Sequence, residues 1–267
     1  MAIDLNSDLG EGIGEVAEAV DAELLGLVSS ANVACGGHAG DEQSMARVCR
    51  IAAEHRVAIG AHISYADREG FGRQPNAASS DELRDQLLSQ LWALETAAHA
   101  AGSAVTYIKP HGALYHACLD DAELAQTVVD VALAFRKEIG RSLAMLSLPG
   151  SALLTRAEAA GLRTAKEAFA DRAYAADGRL VPRTEPGSVI TDPTEALTRL
   201  KRLLRDSQII AIDGTPIDID AHSICVHGDT PGAVFMARRL RAAIDADRVR
   251  IAPFAPPPRV SAQPSTA

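Results

Sequence analysis

The stretch Ser30-Ala31-Asn32-Val33-Ala34-Cys35-Gly36-Gly37-His38-Ala39-Gly40-Asp41 decides the architecture. It opens as a short, largely apolar run of the kind that forms a strand buried on both faces, and it stops at paired glycines. Beyond Asp41 the apolar residues Met45, Val48, Cys49 and Ala52 fall at spacings that make one stripe on a helix. Strand, glycine turn and amphipathic helix together form one β/α unit.

The same grammar recurs in both directions. Strands are predicted at 3–6, 30–35, 57–62, 105–108, 143–148, 164–169 and 223–226. Ser79 and Glu82 have capping-box spacing ahead of Leu83, Leu87, Leu91 and Leu94, and Asp120 and Glu123 repeat it ahead of Leu124, Val128, Val131 and Phe135. Asp192-Pro193-Thr194-Glu195 reads as a cap, a first-turn proline and an acid, and Thr230-Pro231 does the same for the helix carrying Met236, Ala237, Leu240 and Ile244. Repeated units of this kind require parallel strands with right-handed crossovers. About seven of them in 267 residues predict an α/β fold of the closed or nearly closed β/α-barrel type, with an open doubly wound sheet as the alternative. The runs 209–212 and 217–219 flank Asp213-Gly214 and predict a small β-hairpin inserted before the last barrel strand. Residues 1–252 read as a single domain and 253–267 as a proline-rich, disordered tail.

Composition narrows the function. With 26 Lys+Arg against 35 Asp+Glu, the formal charge of −9 offers no general attraction to nucleic-acid phosphates or anionic membranes, so neither is expected as a partner. Aromatics at 4% leave few rings for stacking on sugars or bases. The N-terminus has no basic and apolar leader, and no run reaches the roughly 20 apolar residues of a membrane span, so a cytoplasmic location is expected. Cys35, Cys49, Cys118 and Cys225 form no C-x-x-C pair and are read as buried thiols.

Ionisable residues collect where strands stop. Asp8 and Glu11 follow the first predicted strand, His38 and Asp41 the second, and His62 ends the third. Lys109 and His111 end the fourth, Glu167, Asp171 and Arg172 the sixth, and His227 and Asp229 the seventh. In a β/α barrel those ends share the rim on which active sites are built. A lone histidine at a strand end is ordinarily a hydrogen-bonded structural residue, but four at four ends point to chemistry. Asp8, His38 and His62 have the residue types of a mononuclear metal site, yet no diagnostic zinc spacing accompanies them. General acid–base work by the same groups is the favoured reading, with a metal at Asp8, His38 and His62 left open as the alternative. The His111/His116 pair has H-x4-H spacing, a weak signal, and His116 is assigned no chemistry. Gly36-Gly37 and Gly10-Glu11-Gly12 read equally as phosphate cradles or as tight turns. No G-x-x-x-x-G-K-[ST] loop and no G-x-S-x-G elbow occurs. Lys109, held extended by the following Pro110, reads either as a holder of negative charge or as a salt-bridge partner of Asp8 or Glu11.

Longer runs resemble a known family. Asp4-Leu5-Asn6-Ser7-Asp8-Leu9-Gly10-Glu11, the 30–41 stretch and Ala58-Ile59-Gly60-Ala61-His62 are similar to the LamB/YcsF family. So are Phe71-Gly72-Arg73, Lys109-Pro110-His111-Gly112-Ala113-Leu114-Tyr115, Glu167-Ala168-Phe169-Ala170-Asp171-Arg172, Leu180-Val181-Pro182-Arg183 and Val226-His227-Gly228-Asp229. Ile63 stands where the family pattern has proline. The resemblance implies a seven-stranded β/α barrel of the glycoside hydrolase/deacetylase type. It also implies ATP-dependent opening of 5-oxoproline to L-glutamate, as the A component of a 5-oxoprolinase with subunits B and C, with Mg²⁺ as the nucleotide counter-ion.

That reaction assigns expectations to residues. Asp8, His38, His62, Lys109 and His111 are the expected catalytic set. Glu11, Asp41, Arg73, Glu167, Arg172, Arg183, His227 and Asp229 are expected to bind substrate. With no Walker loop, the ATP-using step is expected to depend on the partner subunits. A metal-dependent deacetylase or amidohydrolase acting on a saccharide, and a non-catalytic lactam-binding scaffold, are the competing readings.

Overall fold

The computed structural model describes residues 2–76, 78–228 and 232–258. Strands β1 (Ala2–Leu9), β2 (Ser30–Ala34), β3 (Ala58–Ile63), β4 (Val105–Pro110), β5 (Ala144–Ser147) and β6 (Arg163–Phe169) pair in parallel, each with the next. The hairpin strands β7 (Gln208–Ile210) and β8 (Pro216–Asp218) stand apart as an antiparallel pair. Strand β9 (Ser223–Cys225) then pairs with β6 on one side and β1 on the other. The β1–β9 pairing closes a seven-stranded barrel and excludes the open sheet. The two-residue β10 (Arg250–Ile251) adds to the start of β1.

Helices α1 (Glu15–Leu25), α2 (Glu42–His55), α3 (Ser80–Ala100), α4 (Gly112–Asp120), α5 (Ala122–Ile139), α6 (Ala152–Ala159), α7 (Pro193–Asp206) and α8 (Ala233–Ala246) surround it. None of the described helices is long and apolar enough to cross a membrane. The predicted Ser79/Glu82 capping box and the Asp192 cap both form. The cap of α5 is Asp121 rather than Asp120, because α4 runs through Asp120 and only the next residue turns out of helix to accept from the N–H groups of Glu123 and Leu124. Gly232 is the N-cap residue of helix α8, and the Thr230-Pro231 pair predicted to start it lies outside the described residues. The packed chain also passes the boundary read at 252. Phe254 sits edge-on to Tyr107 at 4.8 Å, its carbonyl accepts from Arg163, and Ala255 is buried. Residues 259–267 of the predicted tail lie outside the described residues.

One apolar cluster joins barrel and helices, and a smaller one of Ala58, Tyr107, Ala144, Leu146, Ala165 and Ala255 fills one end of the interior. The register of β3 against β4 shifts between Ile59 and Gly60, leaving Thr106 unpaired. This bulge reverses side-chain parity, so Val105 packs in the outer cluster while Tyr107 and Lys109 both turn inward. Gly60 makes room for the inward ring, since a Cβ there would stand 2.1 Å from Tyr107. Above that apolar end the interior is polar. Tyr107 donates to Asn32, Asn32 donates to Asn6 and Asp8, and Asp4 accepts from the hydroxyls of Ser29, Ser30 and Ser223.

Burial pushes the Asp4 carboxyl up from 3.8 to about 6, despite those three hydroxyls. The folded protein therefore binds a proton more tightly than the unfolded chain, so stability falls as pH rises from about 4 to about 6 and is level above. At 1.36 kcal/mol per pH unit the loss is about 3 kcal/mol. Asp4→Asn should flatten that slope, as read from urea midpoints at pH 4, 5, 6 and 7. Gly60→Ala should destabilise by about 1–3 kcal/mol through overpacking against Tyr107, measured the same way.

Candidate active site

The C-terminal ends of the parallel strands open onto a cavity of about 800 Å³. Register builds its floor. Asp8 on β1 pairs with Asn32 on β2, and His62 on β3 pairs with Lys109 on β4. Lys109 Nζ reaches Asp8 Oδ1 at 3.1 Å and Cys225 Sγ at 3.3 Å. It also lies 2.8 Å from Glu167 Oε1, at angles unlike those of a hydrogen bond, so that contact is ionic. The other Glu167 oxygen accepts from the Tyr115 hydroxyl at 3.1 Å. Burial works against charge on both Asp8 and Lys109. The Lys109 ammonium and His62 nonetheless hold the Asp8 carboxyl well below the usual carboxylate range, and Asp8, Cys225 and Glu167 hold Lys109 well above the usual amine range.

His227 faces this pair, its Nε2 3.8 Å from Asp8 Oδ2. Its Nδ1 lies 3.0 Å from Asp171, whose carboxylate also accepts the His227 backbone N–H. Burial lowers the imidazole, but Asp171 and Asp8 outweigh it and raise the pKa above 6.5. A ring anchored through Nδ1 and turning Nε2 toward a cavity has the geometry of a general acid or base.

On the other side of Asp8 stand His38, His62, His111 and Glu11. The rings of His38 and His111 stack at 3.6 Å and 5°, and His62 stands edge-on to both. Phe71 has a left-handed backbone, φ 55°, which aims its carbonyl at His111 Nε2, 3.0 Å away. Gly72 follows at φ 63°, where a Cβ would meet His38 at 2.8 Å. Arg73, Arg172 and Arg183 line the same cavity. Arg172 donates Nε and Nη2 to the carbonyls of Ser188 and Val181, and burial with Arg183 nearby lowers it to about 10.

With that geometry in view, comparison with known proteins is decisive. The chain matches the LamB/YcsF family over residues 3–258. It belongs to that family. A Streptomyces avermitilis protein named as the A subunit of 5-oxoprolinase is 51% identical over 254 residues, covering 95% of this chain and 100% of the relative. A Kocuria rhizophila protein of the same name is 49% identical, covering 95% and 99%. The crystal structure of the lactam utilization protein from Thermus thermophilus superposes with a TM-score of 0.86 at 38% identity, covering 95% of this chain and all of that one. The barrel that the family resemblance implied and the hairpin predicted from Asp213-Gly214 are both present.

The family motifs bring together most of the residues singled out from the sequence. Asp8, Glu11, His62, Arg73, Lys109, His111, Arg172, Arg183 and His227 all line the cavity. Two expected residues are buried behind the wall: His38 beneath the stacked His111 ring, and Glu167 beneath Lys109. Asp41 does not join them. It is exposed and caps α2, accepting the Ser44 N–H at 2.8 Å while Ser44 Oγ accepts the Asp41 N–H at 2.9 Å. Its strand-end position is shared with a helix start, and the helix takes the carboxylate. Asp229 lies outside the described residues. Of the possible metal trio Asp8, His38 and His62, His62 Nε2 lies 3.4 Å from Asp8, His38 Nε2 meets Glu11, and Lys109 accompanies Asp8. Tyr115 and His116 were missed as cavity residues. Tyr115 lies four residues beyond His111 on the start of α4, a helical spacing that would have found it.

Asp171→Asn should lower the His227 pKa, read from its imidazole proton shifts across pH. Stability drawn from this pair is fully present below pH 6.5 and is lost as pH rises through the raised value. The variant should lack that part of the pH dependence.

Proposed function

We propose that this chain is the A subunit of a 5-oxoprolinase, which with subunits B and C opens the lactam of 5-oxoproline to L-glutamate at the expense of ATP. The names of relatives near 50% identity over nearly their whole length support this reading. The observation in the site that carries it is the charged Asp8–Lys109 pair, which shares a small cavity with three arginines and an Asp171-anchored histidine.

Opening a lactam adds water to the carbonyl carbon, breaks the C–N bond and delivers a proton to the ring nitrogen. An arginine fork suits the substrate carboxylate, and Arg73, Arg172 and Arg183 are the candidates. Negative charge growing on the carbonyl oxygen calls for a fixed cation, supplied by the Lys109 ammonium. Asp8 is the ionised group available to accept a proton from water, and His227, its basicity raised by Asp171, is the group suited to deliver one to the leaving nitrogen.

The sequence holds no G-x-x-x-x-G-K-[ST] loop to cradle a triphosphate. We therefore assign the use of ATP, with its Mg²⁺, to the assembly with subunits B and C, and route no step of this chain through the nucleotide.

Glutamate formation from 5-oxoproline should require all three subunits, with phosphate release tracking glutamate. ATP hydrolysis stimulated by 5-oxoproline in this chain alone would refute the assignment. Lys109→Met in the reconstituted assembly should cost about 10²-fold or more in kcat.

A further inference from the structure

Three histidines and a carboxylate converge beside Asp8, and the hydrogen bonds behind the rings fix which nitrogen of each neutral imidazole faces inward. His62 Nδ1 lies 3.0 Å from the Lys109 carbonyl, and His111 Nε2 lies 3.0 Å from the Phe71 carbonyl. A carbonyl only accepts, so both ring nitrogens carry hydrogen. Ser64 Oγ donates its own hydrogen to the Tyr65 carbonyl and therefore accepts from His38 Nδ1 at 3.0 Å. The neutral rings then turn bare lone pairs inward from His38 Nε2, His62 Nε2 and His111 Nδ1.

Those lone pairs meet each other and Glu11 at close range. His111 Nδ1 is 3.0 Å from His62 Nε2, and Glu11 Oε1 is 2.9 Å, 3.9 Å and 3.6 Å from the inward nitrogens of His38, His62 and His111. One atom from each of the four residues lies within 4.8 Å of all the others. Lone pairs facing at such distances repel unless a cation sits among them. One proton would join one pair and leave the rest opposed. Among the described residues, the ionic partners of Glu11 are these three histidines.

A neighbouring cluster supplies the contrast. Asp8, Cys225 and His227 also bring candidate ligand atoms within 4.8 Å of one another. There the Lys109 ammonium already stands 3.1 Å from Asp8 and 3.3 Å from Cys225, so that cluster contains its cation.

We infer that Glu11, His38, His62 and His111 bind one divalent metal ion of the zinc class. Imidazole nitrogens with one carboxylate are the donor set of borderline divalent cations. Each ring is anchored through its other nitrogen by a backbone carbonyl or a hydroxyl, which fixes the tautomer that leaves a lone pair for metal. The separations of 2.9–3.9 Å between Glu11 and the inward nitrogens bracket the roughly 3.3 Å between neighbouring ligands of a tetrahedral ion with bonds of about 2.0 Å. The strained Phe71 backbone, which presents a carbonyl to His111, then holds a ligand in its binding tautomer. Glu11, His62 and His111 line the cavity, so the ion faces its contents. The inference stands apart from the lactam chemistry.

Metal binding by the full chain tests it without any turnover assay. Protein stripped with dipicolinate is titrated with Zn²⁺ by calorimetry and with Co²⁺ by visible absorption. One ion per chain is expected, with d–d bands of a low-coordinate Co²⁺ and a thermal midpoint that rises on Zn²⁺ addition. Glu11→Gln and His111→Ala should each weaken binding by about 100-fold or more, while His116→Ala, on the cavity wall outside the cluster, should bind as wild type. Far-UV circular dichroism identifies any variant that has unfolded, and Glu11→Gln, in a loop, then decides the matter. Folded protein that takes up neither ion stoichiometrically, or equal affinity in Glu11→Gln and wild type, overturns the inference.

Discussion

The Lys109 ammonium is buried in the barrel floor, and an isolated charge in such a place would be prohibitively costly. It is tolerated because Asp8 at 3.1 Å and Glu167 at 2.8 Å accompany it from β1 and β6. Such buried pairs contribute little net stability, since desolvation roughly cancels their attraction, while loss of one partner leaves an uncompensated charge. The triad therefore constrains the barrel more than it strengthens it. Strands β1, β4 and β6 must hold the register in which these three side chains meet, and the bulge at Thr106 sets the parity that turns Lys109 inward.

The rest of the site follows from how charge is distributed around that group. His227 lies between two carboxylates and is raised, whereas His38 and His111 are buried beside other imidazoles and are lowered. Residues of one chemical type are thus driven to opposite protonation behaviour within one cavity, the usual arrangement for dividing acid, base and ligand roles. The two clusters differ chiefly in their cation: that of Asp8, Cys225 and His227 has the Lys109 ammonium of its own chain, and that of Glu11, His38, His62 and His111 has the donor set of a divalent metal ion.

Much of this was legible in the residues. Strand positions, the Ser79/Glu82 capping box, the hairpin and the collection of ionisable groups at strand ends all follow from local periodicity and turn chemistry, which neighbouring residues determine. Asp41 shows the limit: a carboxylate at a strand end and one at a helix start look identical in sequence, and the N–H groups of α2 claim it. Phe254 and Ala255 show another limit, because a proline-rich run reads as a tail although it packs against the Tyr107 end of the interior. Glu11 reads from sequence as a substrate ligand rather than a partner of the histidines, since no spacing rule links position 11 to positions 38, 62 and 111.

The sequence by itself determined the repeated β/α units, the polar rim and the family to which the chain belongs, because each rests on short-range patterns in a fixed order. Only the tertiary structure decided which carboxylates neutralise Lys109, which carbonyl or hydroxyl anchors each histidine, and where Glu11 and three imidazoles converge. Those outcomes depend on strand register across the barrel and on backbone carbonyls brought from distant loops, such as Phe71 against His111. Pairing between strands joins residues a hundred positions apart, and no local preference encodes which ones will touch.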